Sequence, residues 1–238
     1  MENIRLALVT GGAVRVGRST SLALADAGYQ VIVHANRSMR QARALAEKIG
    51  GFAIQSDLSK KSGVDDLFAQ IDQLEGRLSV LVNNAATFEA AKPEELTEAV
   101  WDTHINLNLA APFWCAQAAY HRFGDENASI INMIDIAALS PEPGYAHYAA
   151  TKAGLISLTK GLARSWAPRI RVNGVSPGPV LVPAHYDEEA RQQWLERLPM
   201  GNALGPQDVA ETIRFLVDGP RGITGEIITV DGGWTTTI

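Results

Sequence analysis

The chain contains a single cysteine, Cys115, among 238 residues. One thiol excludes an intramolecular disulfide, and a metal cluster that depends on cysteine has no second thiolate to use. The residues around Cys115 are apolar, so we expect it to be buried in a helix. Histidines at metal-ligand spacing are also lacking, because His104, His121, His147 and His185 are scattered along the chain. The sequence therefore predicts no metal site.

Positive charge is scarce as well. The chain has 21 Lys and Arg against 26 Asp and Glu, which gives a net charge of −5. With no basic cluster to offset this balance, binding to nucleic acid or to an anionic membrane is disfavoured. No apolar run is long enough to span a bilayer, and no charged-then-apolar leader is visible. We expect a cytoplasmic protein that acts on a small molecule, without nucleic-acid or membrane partners.

Apolar runs that alternate with amphipathic segments dominate the pattern. The predicted strands are Arg5–Val9, Gln30–His34, Gly51–Gln55, Ser79–Val82, Ser129–Ile134, Ile170–Val175 and Ile227–Val230. The predicted helices are Arg18–Ala27, Met39–Ile49, Val64–Leu74, Pro93–Arg122, Tyr145–Trp166 and Pro206–Val217. Apolar strands without polar alternation are covered on both faces. The pattern predicts an α/β fold: one domain over residues 1–238, with a doubly wound, Rossmann-type, parallel seven-stranded sheet and helices on both faces.

The segment 179–205 departs from this alternation. It is longer than an ordinary connection, is rich in proline, and contains a helical piece around 187–197. Long excursions of this kind are often active-site lids, which is our prediction here. His185 and Tyr186 lie within it and either close over a substrate or belong to a surface loop.

The candidate catalytic residues lie where an apolar run ends on Asp135 and a helix begins near Tyr145. Tyr148 and Lys152 are four residues apart on that helix, so their side chains share one face. An unperturbed tyrosine has a pKa of about 10. An ammonium about 4 Å away is worth roughly 4 kcal/mol at an effective dielectric constant of ~20, so it is expected to lower that pKa. The pair predicts a phenol acid, with a chance helical pair as the alternative.

A glycine-containing turn follows the first strand, where Thr10 and Gly11 precede Gly17. Such a turn lets backbone N–H groups and a helix N-terminus meet a pyrophosphate. This turn, then Asn83-Asn84-Ala85, then Tyr148 and Lys152, in that order, resemble the motifs of the short-chain dehydrogenase/reductases. The resemblance covers essentially the whole chain.

This resemblance implies a set of cofactor-binding residues. Gly11 and Gly17 frame the dinucleotide turn, and Asp57 reaches the adenine. Asn83 and Ala85 lie along the cofactor, and Asn173 borders the nicotinamide. Together with the end of the second strand, which is considered below, the predicted cofactor site is Gly11, Arg15, Val16, Asn36, Arg37, Ser38, Asp57, Leu58, Asn84, Ala85, Tyr148, Lys152, Pro177 and Gly178.

The resemblance also extends to the proton relay and to assembly. Asn108 matches a helix asparagine that holds a water behind Lys152; the alternative is an amide that caps a helix kink. The segment Asp231-Gly232-Gly233 resembles the one through which such proteins pack as homotetramers. Trp234 follows it and is expected to line the pocket of its own or of a neighbouring subunit.

Cofactor choice follows from the end of the second strand. NAD enzymes of this architecture have a carboxylate there that binds the ribose 2′-hydroxyl. Here the chain offers Asn36, Arg37 and Ser38 instead. A guanidinium and a hydroxyl suit a 2′-phosphate, and Arg18 is a second positive group, so we predict NADPH. A solvated arginine at a strand end is the alternative.

Three departures from the ordinary family pattern resemble the pteridine reductases. Arg15 replaces the middle glycine of the turn, Asp135 replaces the active-site serine thirteen residues before Tyr148, and Phe88 follows the Asn-Asn-Ala motif. The resemblance implies that Arg15, Phe88, Asp135 and Tyr148 bind a pterin or folate. Asp135, Tyr148, Lys152 and Asn108 are the predicted catalytic residues. For Phe88 a loop aromatic that covers the core is the alternative, and for Asp135 a cap of the following loop.

The chemistry of Asp135 supports the same interpretation. A carboxylate beside a developing alkoxide opposes its charge. Reduction of a ring C=N bond instead needs a proton on nitrogen, which a carboxylic acid can help to deliver through the phenol. One alternative is an NADPH-dependent reductase of a 3-oxoacyl thioester or another carbonyl. A non-catalytic dinucleotide-binding scaffold is a remote second one, disfavoured by the intact Tyr148, Lys152 and Asn108.

Overall fold

The computed structural model describes residues 4–124, 127–180, 187–196, 198–200 and 204–236. Seven strands in this part of the chain form one parallel sheet in the order β3-β2-β1-β4-β5-β6-β7. The prediction of a doubly wound parallel sheet is therefore confirmed. The strands are β1 Arg5–Val9, β2 Gln30–Ala35, β3 Phe52–Gln55, β4 Arg77–Asn83, β5 Ala128–Met133, β6 Ile170–Pro177 and β7 Ile227–Val230.

Helices cover both faces of the sheet. They are α1 Arg15–Asp26, α2 Met39–Ile49, α3 Lys61–Ile71, α4 Glu98–Ile105, α5 Ala111–Tyr120, α6 Ala146–Trp166, α7 Glu188–Glu196 and α8 Pro206–Asp218. One core lies between the sheet and α3, α5 and α6, around Phe68 and Phe123. The other lies between the sheet and α1, α2 and α8, around Leu24 and Ile213. Since the five inner strands β2, β1, β4, β5 and β6 are buried from both sides, their apolar runs show no alternation, whereas the edge strands β3 and β7 are more exposed.

The single helix predicted over 93–122 is wrong. A three-residue 3-10 turn, Pro93–Glu95, comes first, and α4 then begins after Thr97, whose hydroxyl accepts the Val100 N–H at 3.4 Å. A π-helical turn, Asn106–Ala110, separates α4 from α5. Pro112 lies in the first turn of α5, and since proline has no N–H and crowds the preceding turn, the backbone widens there.

Other helix boundaries differ less. α1 begins at Arg15 rather than at residue 18, and α3 spans Lys61–Ile71 rather than residues 64–74. Within the predicted lid segment the helical piece is present as α7. His185 and Tyr186 lie outside the described residues. No helix in the described ranges is both long enough and apolar enough to cross a bilayer.

Candidate active site

The site lies where the carboxyl ends of the central strands meet. β1 is flanked by β2 on one side and by β4 on the other, so the direction of chain progression reverses at β1. Crevices at such switch points are where open α/β sheets bind ligands. The turn at Gly11, the segment after Asn83 and Asp135 after β5 all follow strands at this edge.

The turn after β1 is braced by the Asn-Asn-Ala segment. Gly11 has φ of +61°. The Asn84 side-chain amide donates to the carbonyl oxygens of Thr10 at 2.8 Å and Gly11 at 3.1 Å. In return the Thr10 hydroxyl accepts the N–H groups of Asn84 at 2.9 Å and Ala85 at 3.0 Å. These bonds fix the turn before any ligand arrives.

The Asn83 side chain faces the core, so only its backbone is left for a cofactor. β4 pairs with β5 so that Asn83 is opposite Asn132. The Asn83 amide donates to Asn132 Oδ1 at 2.9 Å, and Asn132 donates to the Thr159 hydroxyl at 2.9 Å. Asn83 is thus part of a buried polar chain that joins the sheet to α6.

Gly17 holds α1 against the turn. A Cβ at this position would lie 2.2 Å from the Gly11 carbonyl oxygen, which is far inside contact distance. We predict that Gly17→Ala lowers the free energy of unfolding by about 1–3 kcal/mol, the range for overpacking, and also weakens dinucleotide binding. Urea unfolding and a dinucleotide titration measure the two effects.

The matched control is Gly222→Ala, because a Cβ at Gly222 meets no atom within 4 Å. This variant is expected to behave like the parent protein. Equal stability of the two variants would contradict the steric account of Gly17.

The start of α1 fits an anionic group. Val14 at the N-cap has no side-chain acceptor, so the first N–H groups of the helix are available to a ligand. Arg15 is exposed and has φ of +52°, a conformation that favours glycine. Arg15, Val16 and Gly11 are thereby brought together at this turn, as the prediction required.

His34 was not assigned a role from the sequence. It lies at the end of β2 and is 2% exposed. Its Nε2 lies 3.1 Å from the Ser56 carbonyl oxygen, which can only accept, so Nε2 carries the hydrogen and Nδ1 accepts the Gly11 N–H at 3.2 Å. Burial lowers the pKa of His34 to about 4, and the ring is neutral at pH 7. His34 therefore ties the turn to β2 and β3; a polar residue in an otherwise apolar strand was the available signal.

The ends of β2 and β3 bring a carboxylate to the place where the sequence indicated none. Asn36 donates to Asp57 Oδ1 at 3.3 Å, and the Ser59 hydroxyl donates to the same oxygen at 2.7 Å. The Ser59 hydrogen bond is the main cause of a lowered Asp57 pKa, and the Arg37 charge contributes. Arg37 and Asp57 are thus neighbours at this edge.

Leu58 and Ser38, two further residues of the predicted cofactor site, differ in how available their side chains are to a ligand. The Leu58 side chain is buried in the core, so only its backbone is left for a cofactor. Ser38 is the N-cap of α2 and makes no side-chain cap bond there. Its hydroxyl is therefore not committed to capping, which agrees with the predicted role.

Tyr148 and Asp135 are in direct contact. The Tyr148 hydroxyl donates to Asp135 Oδ2 at 2.8 Å, while Asp135 Oδ1 accepts the Ala137 N–H at 2.9 Å. Asp135 therefore caps the 3-10 turn Ile136–Ala138 with one oxygen and binds the phenol with the other. One oxygen makes the cap that the alternative interpretation expected, and the other makes the contact with Tyr148 that the functional prediction requires.

Lys152 lies behind this pair. Its Nζ donates to the Met133 carbonyl oxygen at 2.7 Å and lies 5.6 Å from the centre of the Tyr148 ring. Burial lowers the pKa of the ammonium to about 8, although the Asp135 charge acts in the opposite direction. Lys152 thus anchors the end of β5 next to the phenol.

The expected lowering of the Tyr148 pKa is wrong for this structure. Burial, and then the charge of Asp135 and the hydrogen bond to it, raise the pKa of the phenol above its ordinary value. The prediction left out the burial of the phenol, which is the largest cause, and it assumed contact with the Lys152 ammonium where the hydroxyl in fact contacts the Asp135 carboxylate. Tyr148 is consequently a protonated acid at neutral pH.

Phe88 is beside the phenol. Its ring stacks on Tyr145 with centroids 4.4 Å apart and an angle of 8°, and meets Tyr148 edge-on at 4.8 Å. The ring is 62% exposed, so it is not the core cover that the alternative supposed. Tyr145, expected only to mark the start of a helix, joins the same aromatic cluster; an aromatic residue one turn before Tyr148 was its only signal.

Asn108 is 1% exposed in the π-helical turn. Its Oδ1 accepts the Thr87 N–H at 2.8 Å, and its amide donates to the Thr87 carbonyl oxygen at 2.9 Å. These hydrogen bonds hold the loop before Phe88 in place. Neither of the two sequence interpretations of Asn108, a water ligand or a cap of a helix kink, included this role. A water behind Lys152 remains a prediction.

At the end of β6, Gly178 packs on Asp231, since a Cβ at Gly178 would be 2.6 Å from Asp231 Cβ. Pro177 ends the strand at the same edge. The Asn173 side chain is fully buried four residues before Pro177, which leaves only its backbone for the predicted nicotinamide contact. Its amide donates to the Ile223 carbonyl oxygen at 3.0 Å, and its Oδ1 accepts the Glu226 N–H at 3.1 Å. It braces the chain that leads into β7.

Near the C-terminus, Asp231 accepts the N–H groups of Gly233 and Thr235, each at 2.9 Å, and so holds the 3-10 turn that begins at Trp234. In the ranges that the structure describes, no group of three or more His, Cys, Asp and Glu side chains is arranged to hold a metal ion. Cys115 is buried in α5, as expected, and burial raises the pKa of its thiol to about 12.

A parallel sheet with a braced glycine turn at its switch point, and a buried Tyr-Lys pair at the same edge of the sheet, are the features of a Rossmann-type oxidoreductase that uses a nicotinamide cofactor. Residues 12–235 match a family model described as enoyl-(acyl carrier protein) reductase. The chain belongs to the short-chain dehydrogenase/reductase family.

Individual relatives align over nearly their full length. The 3-oxoacyl-[acyl-carrier-protein] reductase FabG of Staphylococcus aureus is 36% identical, with 98% of this chain and 99% of the relative covered. FabG of Thermotoga maritima is 33% identical, with 96% and 97% covered. The (2S)-[(R)-hydroxy(phenyl)methyl]succinyl-CoA dehydrogenase subunit BbsD of Thauera aromatica is 33% identical, with 96% of each chain covered. These names concern acyl thioesters, so overall similarity favours the carbonyl alternative over the pterin interpretation.

Proposed function

We propose that the protein is an NADPH-dependent reductase of a C=N bond in a pterin-like ring. The observation that carries this proposal is the 2.8 Å hydrogen bond from the Tyr148 hydroxyl to Asp135. In carbonyl reduction negative charge develops on the substrate oxygen until the phenol protonates it, and a carboxylate in contact with the phenol opposes that charge. In C=N reduction the acceptor is a basic nitrogen, and a carboxyl group in line with the phenol can resupply its proton.

The proton balance of this scheme is simple. When bound, NADPH supplies the hydride that reduces the ring carbon. The Tyr148 O–H bond breaks as an N–H bond forms on the substrate, and a proton taken up from solvent and passed through Asp135 then restores the Tyr148 O–H bond. Lys152 keeps a positive charge near the phenol oxygen while that proton is in transit. Phe88 offers an exposed ring for offset stacking, worth roughly 0.5–1.5 kcal/mol for an aromatic pair.

The chain's own groups fit a dinucleotide at this edge. The uncapped N–H groups at the start of α1 suit the pyrophosphate, and Gly11 with its positive φ allows the tight turn that precedes them. Arg37 and Ser38 are the proposed ligands of a 2′-phosphate, and Asp57 is the proposed contact to the adenine end. Because Arg37 shares this edge with the Asp57 carboxylate, its contribution to cofactor choice has to be measured.

We predict that Arg37→Leu raises the KM for NADPH by roughly 10- to 100-fold, because a hydrogen bond to a charged group is worth about 1.5–3 kcal/mol. The KM for NADH should change little, since NADH has no 2′-phosphate. Initial rates with each cofactor measure the two constants. Arg43→Leu, which removes an exposed arginine one turn into α2, is the matched control. An equal rise for both cofactors would refute a 2′-phosphate contact.

Reduction of a 3-oxoacyl thioester is the second candidate. The 36% and 33% identity to FabG proteins over almost the whole chain favours it. An overall identity counts every aligned position equally, including those that reductases of either substrate need for the fold and for the dinucleotide. The group in contact with the Tyr148 hydroxyl is instead specific to the reaction, and for this reason we give Asp135 more weight.

The deciding experiment offers dihydrobiopterin, dihydrofolate and an acetoacetyl thioester in parallel and follows NADPH oxidation. Turnover of a pterin or folate with the thioester inert supports the proposal. Turnover of the thioester alone refutes it and establishes the second candidate. Bound NADPH that no substrate oxidises would favour the scaffold alternative. The homotetramer and the lid over 179–205 stay predictions, which sedimentation and proteolysis with and without ligand can test.

A further inference from the structure

The loop that carries Phe88 is held on both sides by side chains from two helices. Before Phe88, both main-chain groups of Thr87 are bound by Asn108, at 2.8 and 2.9 Å. After it, the Glu89 carbonyl oxygen lies 3.0 Å from His147 Nε2, and the Glu89 N–H donates to His104 Nε2 at 3.4 Å. The N–H and carbonyl groups of both Thr87 and Glu89, which flank the exposed Phe88 ring, are therefore all hydrogen-bonded.

The two histidines are matched to opposite groups of Glu89. A carbonyl oxygen only accepts, so His147 carries its hydrogen on Nε2. His104 Nδ1 lies 2.9 Å from the Val100 carbonyl oxygen, which assigns the hydrogen to Nδ1 and leaves Nε2 as an acceptor. The rings are 1% and 3% exposed, and their centroids are 4.4 Å apart at 83°. We name this pair, His104 and His147, the histidine clamp.

The clamp connects the loop to the helix that carries the acid. His147 directly precedes Tyr148 on α6, and the His104 ring lies 6.4 Å from the Tyr148 ring. The Phe88 ring meets the Tyr148 ring edge-on with centroids 4.8 Å apart, so a shift of Glu89 changes the contact between the two rings. An exposed loop side chain held in this way loses little conformational freedom when a ligand binds.

We propose that His104 and His147 are positioning residues, which hold the Phe88 ring against Tyr148 and so fix the surface on which a substrate packs beside the acid. The proposal rests on the proposed function in one respect, namely that Tyr148 is the acid. It holds for either candidate substrate class, because the clamp acts on the geometry of Phe88 and Tyr148 and not on the group that is reduced.

A double-mutant cycle tests the clamp. His147→Leu removes the donor to Glu89, and Phe88→Ala removes the ring that the clamp positions. We expect each single variant to lower kcat/KM, mainly through the KM for the substrate, with the KM for NADPH unchanged. If His147 acts through Phe88, the two losses are not additive, and the double variant is better than their product by roughly 3- to 10-fold.

Two further variants separate positioning from plain stability. His147→Gln keeps an N–H near the position of Nε2 and should restore most of kcat/KM. His121→Leu replaces an exposed histidine at the end of α5 and should leave activity unchanged. If His147→Leu does not fold, His147→Asn, whose shorter amide does not reach Glu89, replaces it in the cycle. Thermal unfolding of every variant is measured alongside.

Additive losses in the cycle, or a His147→Gln variant as poor as His147→Leu, would overturn the proposal and make His147 a packing residue. The cycle is run on whichever substrate of the parallel assay is turned over. Turnover of the thioester alone therefore refutes C=N reduction, while the cycle on that thioester still decides whether the clamp positions Phe88.

Discussion

Replacing Tyr148 by phenylalanine lowers kcat by roughly 10²- to 10⁴-fold, the contribution typical of a general acid. The change removes only the hydroxyl that donates to Asp135 and keeps the ring that meets Phe88 edge-on. Substrate and dinucleotide binding should consequently be nearly normal, so that the loss is found in kcat rather than in either KM. Steady-state kinetics and a dinucleotide titration measure the three quantities.

Tyr120→Phe is the matched control, because it also removes only a tyrosine hydroxyl. Tyr120 is the last residue of α5, and its ring packs on Trp166 with centroids 5.0 Å apart. Its turnover should equal that of the parent protein. If Tyr148→Phe turns over at a near-normal rate, another group protonates the substrate and the catalytic assignment fails.

Replacing Asp135 by serine should lower pterin turnover by about 100-fold, at the lower end of the range for general acid–base groups. Serine can still cap the turn by accepting the Ala137 N–H, so the local backbone is retained. What is lost is the second carboxylate oxygen and the charge beside Tyr148. Binding of NADPH is expected to be unchanged, and reduction of the acetoacetyl thioester is expected to rise, because the charge that opposes an alkoxide is gone.

The pH dependence of the remaining activity gives a second readout for the Asp135→Ser variant. The Asp135 carboxylate raises the pKa of Lys152, which burial lowers to about 8. Without that anion the ammonium is less stable, so its pKa falls and the alkaline limb of the rate profile moves to lower pH. Unchanged pterin turnover together with an unchanged limb would remove the main support for C=N reduction.

The fold could be predicted from the sequence because its signals are local. Uninterrupted apolar runs indicated seven strands, and β1 and β7 were located to the residue. The helix over 93–122 failed because the expected periodicity ignored Pro112, whose ring and missing N–H accompany the π-helical turn before it. A helical pattern does not report such a local widening.

The candidate site was predicted where its residues are close in sequence. Tyr148 and Lys152 are one helical turn apart, so their shared face follows from helix geometry alone. The contact between Asp135 and Tyr148, in contrast, depends on how α6 packs at the end of β5. The sequence indicated that Asp135 and Tyr148 act together only through the family resemblance. The predicted lowering of the Tyr148 pKa was wrong because tertiary packing decides how deeply the hydroxyl is buried and which charged group it contacts.

The sequence by itself determined where the strands lie, where the glycine turn falls and that Tyr148 and Lys152 share one helix face. Each of these features depends only on neighbouring residues and on backbone sterics. Only the tertiary structure decided which polar residues face the crevice. Asn83 is withdrawn into the core because β4 pairs with β5 in a register that sets it opposite Asn132. His34 reaches both Gly11 and Ser56 because β2 lies between β1 and β3. The physical reason is that a side chain's partner across a sheet is set by strand order and register, which single-chain periodicity does not encode.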